Sequence, residues 1–194
     1  ALLCVLEVFP NVKLIASERR ADPEYRQEII AQIEANGLQD RVILVGDIPH
    51  EQMPIYYSLS HVVVTLASND GLPQAMFEAM ACEVPYILGD LPRYREFVLH
   101  KEHVYCVDFN TQDVSKGIIE LFSNDELREK IIVNAKNLVY DIADINKESK
   151  RVIHFMEQLE TDATPQNTSI DMRLLLRFIM LGLQQFVSKI VKRP

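Results

Sequence analysis

The sequence predicts an α/β protein, a Rossmann-like parallel sheet with helices on both faces. Two observations predict it. Short apolar runs alternate along the chain with segments of helical spacing, the β-α-β-α order that generates parallel sheets. The runs VILV, VVV and YIL are continuously apolar, as strands buried on both faces are.

The elements follow in order. The opening ALLCVLEVFP reads as the end of a helix that started earlier. It lacks Met, a basic stretch and a small-residue cleavage site, so it is no signal peptide and the chain reads as a fragment. NVKLIAS is a strand. Residues 23–36 form a helix with Tyr25, Ile29, Ile30 and Ile33 at helical spacing. Asp22 is its cap, Pro23 sits in its first turn, and Gly37 stops it. RVILVG, HVVVTLA, PYILGD and VYCVDF are further strands. HEQMPIYYSLS, PQAMFEAMAC and residues 111–122 are helices between and after them, and residues 125–159 form two more. The polar stretch TDATPQNTS, residues 161–169, reads as a linker. The organisation is therefore a domain over 1–160, a linker over 161–169 and a basic amphipathic helix over 170–194.

Bulk properties exclude several function classes. Of 194 residues, 48% are apolar and 25% charged, which is globular composition. A net charge of −8 argues against nucleic acid as a partner, since neutralising phosphates needs an excess of Lys and Arg. Cys4, Cys82 and Cys106 are odd in number and contain no Cys-x-x-Cys pair. They suggest a reducing compartment with neither disulfide nor zinc site. His100 and His103 could share a helix face, but no carboxylate or thiol stands at ligand spacing beside them, so no metal is expected.

The last segment has its own character. Leu174, Leu175, Phe178, Ile179, Leu181, Leu183, Phe186, Val187 and Ile190 are interrupted by Arg177, Gln184, Gln185, Ser188 and Lys189. A spanning helix needs about 20 mostly apolar residues, so this one does not span. It reads equally as an interfacial helix with a basic fringe, or as a helix packed on another domain or partner chain. The expected location is cytoplasmic, peripheral to the inner membrane face under the first reading.

The chemistry is concentrated in SNDGLPQAMFEAMACEVPYILGDLPRYREFV, residues 68–98. Asp70 lies at the C-terminal end of a buried strand, where open α/β sheets bind ligands. Gly71 allows a sharp turn and close approach of the backbone to a ligand. Pro73 starts a helix whose free amides and positive end suit a pyrophosphate. Glu78 is more than a turn further on, where a carboxylate can accept from two adjacent ribose hydroxyls. Taken alone, an Asp cap and a helical Glu are ordinary structural or solvated residues, and Ala75, Met76, Ala79 and Met80 are core packing.

This run resembles the signature of group 1 glycosyltransferases, roughly E-G-F-P-x-x-x-x-E-A-M-A-x-G-x-P. Asp70, Gly71, Pro73, Glu78, Ala79, Met80, Ala81 and Pro85 match it, with Asp in place of the first Glu. FPNVKLIA, RVILVGDIPHEQMPIYYSLSHVVV and LPRYREFV resemble the family's equivalents in the same order, so the likeness covers about residues 1–160. It implies the C-terminal, donor-binding half of a GT-B fold, facing an upstream acceptor-binding domain. It implies retaining transfer from a nucleotide-diphosphate sugar to a saccharide or lipid-linked acceptor, as in polysaccharide biosynthesis, with no cofactor and no metal.

By position, Glu78 would hold the donor ribose. Asp70 would contact the sugar hydroxyls and serve catalysis. Backbone amides of Gly71 and Leu72 would meet sugar or phosphates, and Gly46, Asp47 and Ile48 would border the nucleobase. The family's first strand and its phosphate-binding Arg and Lys would lie upstream of Ala1, leaving an exposed sheet edge. Three departures stand out: Ser17, Glu83 and Arg93 occupy positions where the family usually or often has Gly. They keep two alternatives open, a degenerate non-catalytic domain that binds a nucleotide or partner, and a sugar-nucleotide epimerase of the same architecture.

Overall fold

The computed structural model describes residues 1–18, 21–71 and 73–162. The chain divides into two compact units, Ala1–Val139 and Tyr140–Pro194. The first unit runs α1 (Leu2–Val8), β1 (Leu14–Ser17), α2 (Pro23–Ala35), β2 (Val42–Val45), α3 (Met53–Leu59), β3 (Val63–Thr65), α4 (Gln74–Ala81), β4 (Tyr86–Gly89), β5 (Tyr105–Val107) and α5 (Thr111–Ser123). Helix α6 (Asp125–Ile142) crosses the division, and α7 (Ile145–Asp162) belongs to the second unit.

Strand β4 organises the first unit. It is the centre of a parallel sheet ordered β3-β4-β5, and all four of its residues are buried. Successive side chains of a strand point to opposite faces. Tyr86 and Leu88 accordingly join a core with Tyr57 of α3, Met76, Ala79 and Met80 of α4, and Ala135 and Val139 of α6. Ile87 joins a second core with Tyr105, Val107, Val114 and Leu121 of α5, and Ile131 of α6. Helices thus cover both faces, as the continuous apolar run YIL requires. Helix α5 is capped by Asn110, whose side chain accepts from Asp113 N–H at 2.9 Å. Its Gly117 lets it approach β5 closely, since an added Cβ would sit 3.0 Å from the Tyr105 ring.

The N-terminal part is built differently. Strands β1 and β2 pair in parallel, Leu14 opposite Val42 through Ser17 opposite Val45, but form a separate two-stranded sheet. Among the described residues β1 pairs only with β2, and β3 pairs only with β4. Apolar side chains of β1 and β2 stay accessible: Leu14, Ile15 and Ile43 are each at least 40% exposed, and α2 has no buried residue. Helix α2 is nonetheless started as expected, with the Asp22 carboxylate accepting from Glu24 and Tyr25 N–H, both at 3.0 Å. Gly37 follows it with a left-handed φ of 64°. Helix α1 leans on α5, where Phe9 meets Phe122 edge-on with ring centroids 5.2 Å apart.

Other expectations are adjusted. His100 and His103 share no helix face; they flank a turn, their Nδ1 atoms accepting from Cys106 N–H at 3.0 Å and Leu99 N–H at 3.2 Å. A 3₁₀ turn over Pro92–Glu96 was not foreseen. Cys4, Cys82 and Cys106 are free thiols. In the second unit α7 runs to Asp162, two residues into the stretch read as a linker, and leaves Val152, Phe155 and Leu159 exposed. The remaining linker and the helix expected over 170–194 lie outside the described residues. Among the described residues no helix is long and apolar enough to cross a membrane.

Glu83 follows α4 with φ 61°, in the left-handed region. That conformation costs a non-glycine residue about 1–2 kcal/mol. It explains physically why a glycine suits this position. The Glu83 side chain pairs with Lys136 Nζ at 2.5 Å, but both partners are well exposed. Such a pair contributes at most about 1 kcal/mol. Glu83→Gly is therefore expected to stabilise the chain by about 0.5–1 kcal/mol, measured as a rise in the urea midpoint at unchanged slope. A lowered midpoint would show that the ion pair outweighs the backbone cost.

Candidate functional site

The site grows from the C-terminal ends of β2 and β3 and from α4, which carries Glu78. The buried stripe of α4, Met76, Ala79 and Met80, turns Glu78 onto its flank, where the side chain is 26% exposed. One oxygen, Oε2, accepts a hydrogen bond from the Tyr57 hydroxyl at 3.0 Å. The other, Oε1, lies 3.7 Å from Nδ1 of His50, in the short 3₁₀ turn that follows the Gly46–Asp47–Ile48 loop. His50 thus lies close to the Glu78 carboxylate of α4. Tyr57 is buried, and burial first, then the bond and charge of Glu78, push its pKa far above the ordinary phenol value. It is a hydrogen-bond donor at any physiological pH. Cys82 is raised by burial and, after that, by the Glu78 charge.

Asp70 stands in the loop after β3. Its Oδ1 accepts from Gly71 N–H at 2.7 Å, and its Oδ2 faces the hydroxyl of the buried Tyr94 at 3.4 Å. Its backbone carbonyl accepts from Arg93 Nη1. Asp70 is therefore not a helix cap: Pro73 occupies the N-cap of α4 and no side chain accepts there. Tyr94 is raised first by burial and then by the Asp70 charge. The Tyr86 hydroxyl connects the two halves. It shares a 2.6 Å hydrogen bond with Thr65 Oγ1 and is pushed up to about 12, chiefly by burial. The Thr65 bond opposes that rise, whereas Tyr94, Asp70 and Glu78 add to it. One buried hydroxyl thus feels both carboxylates.

The glycines leave room. A Cβ on Gly46 or Gly71 would meet nothing within 4 Å. Gly37 is the one glycine with a left-handed φ among the described residues, so the sharp turn expected at Gly71 is made without one. Ser17 Oγ reaches the Gly46 carbonyl at 3.3 Å, tying the ends of β1 and β2 together. The departures at Ser17 and Arg93 are thus each engaged in a local bond beside the site. Leu72 lies outside the described residues.

The structure sets Glu78 Oε1 3.7 Å from His50, two residues beyond Ile48, and sets Asp70 beside Arg93 and Tyr94. Sequence reasoning passed over Tyr57, His50 and Tyr94, and marked Arg93 only as a departure from the family's glycine. Tyr57 and Tyr94 carry apolar rings at core positions, and only their hydroxyls report on the site. The arrangement offers partly exposed carboxylate oxygens, suited to sugar hydroxyls. Beside them, the start of α4 has no side-chain acceptor, which suits an anion. A separate cavity of about 560 Å³, lined by Asp90, Arg95, His100, Lys101 and Lys116 among others, contains neither carboxylate. Two of its cations are already paired, Arg95 with Asp90 at 2.6 Å and Lys101 with Glu120 at 2.5 Å. Among the described residues no cluster of three or more His, Cys, Asp or Glu could hold a metal ion.

Residues 5–138 match the family of glycosyl transferases group 1. Glycosyltransferase 1 domain-containing protein 1 of Xenopus tropicalis is 28% identical over 131 residues, 67% of this chain and 36% of that protein. Sucrose-phosphate synthase from Thermosynechococcus elongatus superposes with a TM-score of 0.72 at 21% identity, covering 84% of this chain and 42% of that one. HepE from Anabaena, solved in complex with UDP, superposes with a TM-score of 0.71 at 17% identity, covering 81% and 45% respectively. The chain thus spans about a third of its curated relative, and under half of these two solved chains. The matched residues include both Asp70 and Glu78, and on that match the chain belongs to the group 1 glycosyltransferases.

Proposed function

We propose that this chain is the donor-binding half of a glycosyltransferase. It would bind a nucleotide-diphosphate sugar for retaining transfer to a saccharide or lipid-linked acceptor. The observation that carries the reading is the Glu78 carboxylate, fixed by Tyr57 at 3.0 Å while remaining partly open to solvent. In this reading Glu78 accepts from the ribose hydroxyls, and Gly46, Asp47 and Ile48 border the base. Asp70 contacts the sugar hydroxyls and favours the charge that develops at the anomeric carbon. The backbone of Gly71 and Leu72 meets the sugar or phosphates. UDP bound to HepE supports a uridine donor as the first probe.

The acceptor would be presented by a facing domain, in keeping with a chain that covers 42–45% of its solved relatives. Orientation across that cleft and exclusion of water would supply much of the rate. Neither cofactor nor metal enters the scheme. The reaction would take place in the cytoplasm. If residues 170–194 form an interfacial helix, the intact protein co-sediments with anionic vesicles and loses this on deletion from Asp171 onward; equal sedimentation of both forms rejects it. The second reading, a binding domain without turnover, draws on Ser17, Glu83 and Arg93. Release of nucleoside diphosphate by the intact protein, across a panel of donors and acceptors, separates transfer from binding alone.

A charged hydrogen bond contributes about 1.5–3 kcal/mol. Glu78→Gln is therefore expected to weaken UDP binding about tenfold or more in calorimetry while the melting temperature holds. Unchanged affinity would remove Glu78 from the site. Asp70→Asn is expected to lower turnover of the full-length protein more than it lowers UDP affinity. Equal losses in both would place Asp70 in ground-state binding.

A further inference from the structure

We propose that Tyr57 is a positioning residue for ribose recognition, its hydroxyl setting the plane of the Glu78 carboxylate so that Oε1 is presented to a nucleotide hydroxyl. This rests on the assignment of Glu78 to the ribose.

The argument begins with the freedom Glu78 would otherwise have. A glutamate on a helix flank has three rotatable bonds, and its terminal torsion is broad. Holding it in one orientation costs entropy unless something else already holds it. Here Oε2 is held by a group that cannot easily move. Tyr57 is 5% exposed, and its ring is packed in the core with Met76, Met80 and Tyr86. Its hydroxyl reaches Oε2 at 3.0 Å. The two residues sit on different helices, α3 and α4, so the bond also fixes the carboxylate relative to the loop that leads into α3. That loop contains Ile48 and, in the turn after it, His50, whose Nδ1 is 3.7 Å from Oε1.

The two oxygens therefore have different surroundings. Each carboxylate oxygen can accept two hydrogen bonds. Oε2 has one acceptor site taken by a buried phenol, whereas Oε1 faces the half of the site built by the loop after β2. Burial keeps the phenol protonated, so Tyr57 is the donor in this bond. Loss of the Tyr57 hydroxyl would leave the carboxylate in place but let it rotate. The affected quantity is then the reading of the ribose hydroxyls, not binding in general.

The test compares UDP with 2′-deoxy-UDP on the full-length protein, by calorimetry. Tyr57→Phe keeps the ring and removes the hydroxyl. It is expected to weaken UDP about fivefold and 2′-deoxy-UDP less than twofold, so that discrimination between them shrinks, and to raise the donor KM with little change in kcat. Equal weakening of both nucleotides, or of neither, overturns the proposal. The Tyr57→Phe/Glu78→Gln pair guards against a destabilised single variant: in the Glu78→Gln background the Tyr57 change should no longer alter discrimination. An undiminished effect there overturns it too. If Glu78→Gln itself leaves the ribose preference intact, or the wild type shows none, the ribose assignment fails. If Glu78→Gln abolishes the preference and Tyr57→Phe does not, only the positioning role fails.

Discussion

Strand β4 is the constraint on which the rest of the first unit depends. Four residues long and buried throughout, it separates two apolar cores and has a parallel strand on each side. Tyr86 and Leu88 face one core and Ile87 the other, so no register shift is available that keeps both packed. Helices α3 and α4 take their places from the first face, α5 from the second, and α6 from both. The site inherits its precision from this arrangement. Glu78 sits where it does because Met76, Ala79 and Met80 are locked against β4, and Tyr57 meets it because the same core holds its ring.

A second consequence concerns polarity at the edge of that core. Tyr57, Tyr86 and Tyr94 bury their rings and direct their hydroxyls to Glu78, Thr65 and Asp70. Tyrosine suits this boundary because one end is apolar and the other needs a partner. Among the described residues no buried side-chain polar atom lacks a hydrogen bond. The result is a pair of carboxylates, each accepting from the hydroxyl of a tyrosine whose ring is packed in the core.

Much of this was legible in the sequence, for identifiable reasons. Strands such as YIL and helices such as PQAMFEAMAC announce themselves through continuous or periodic apolar character, and Asp22 and Gly37 mark the limits of α2 by local chemistry alone. Glu78 and Asp70 were legible through the spacing of a motif. What escaped depends on tertiary contact. A tyrosine in a helical stripe reads as core whether or not its hydroxyl reaches a carboxylate 21 residues away, as that of Tyr57 does. The turn at Pro92–Glu96 has no periodicity to betray it, yet it supplies Arg93 and Tyr94 to the Asp70 loop. The accessibility of Leu14, Ile15 and Ile43 was equally hidden, since an apolar run does not state how fully its faces will be covered.

That accessibility bears on motion. Regions with few buried apolar contacts open locally at a lower free energy than the global unfolding that exposes a core strand. The β1–α2–β2 segment is such a region, and β4 is its opposite. The Gly46 loop is rooted in the first and Glu78 in the second, with His50 beside Glu78 as a point of contact. A ligand touching both walls would draw a loosely held element onto a rigid one. Part of its binding free energy would then be used to order β1 and β2, and amide exchange in those strands, slowed by the ligand, would record how much.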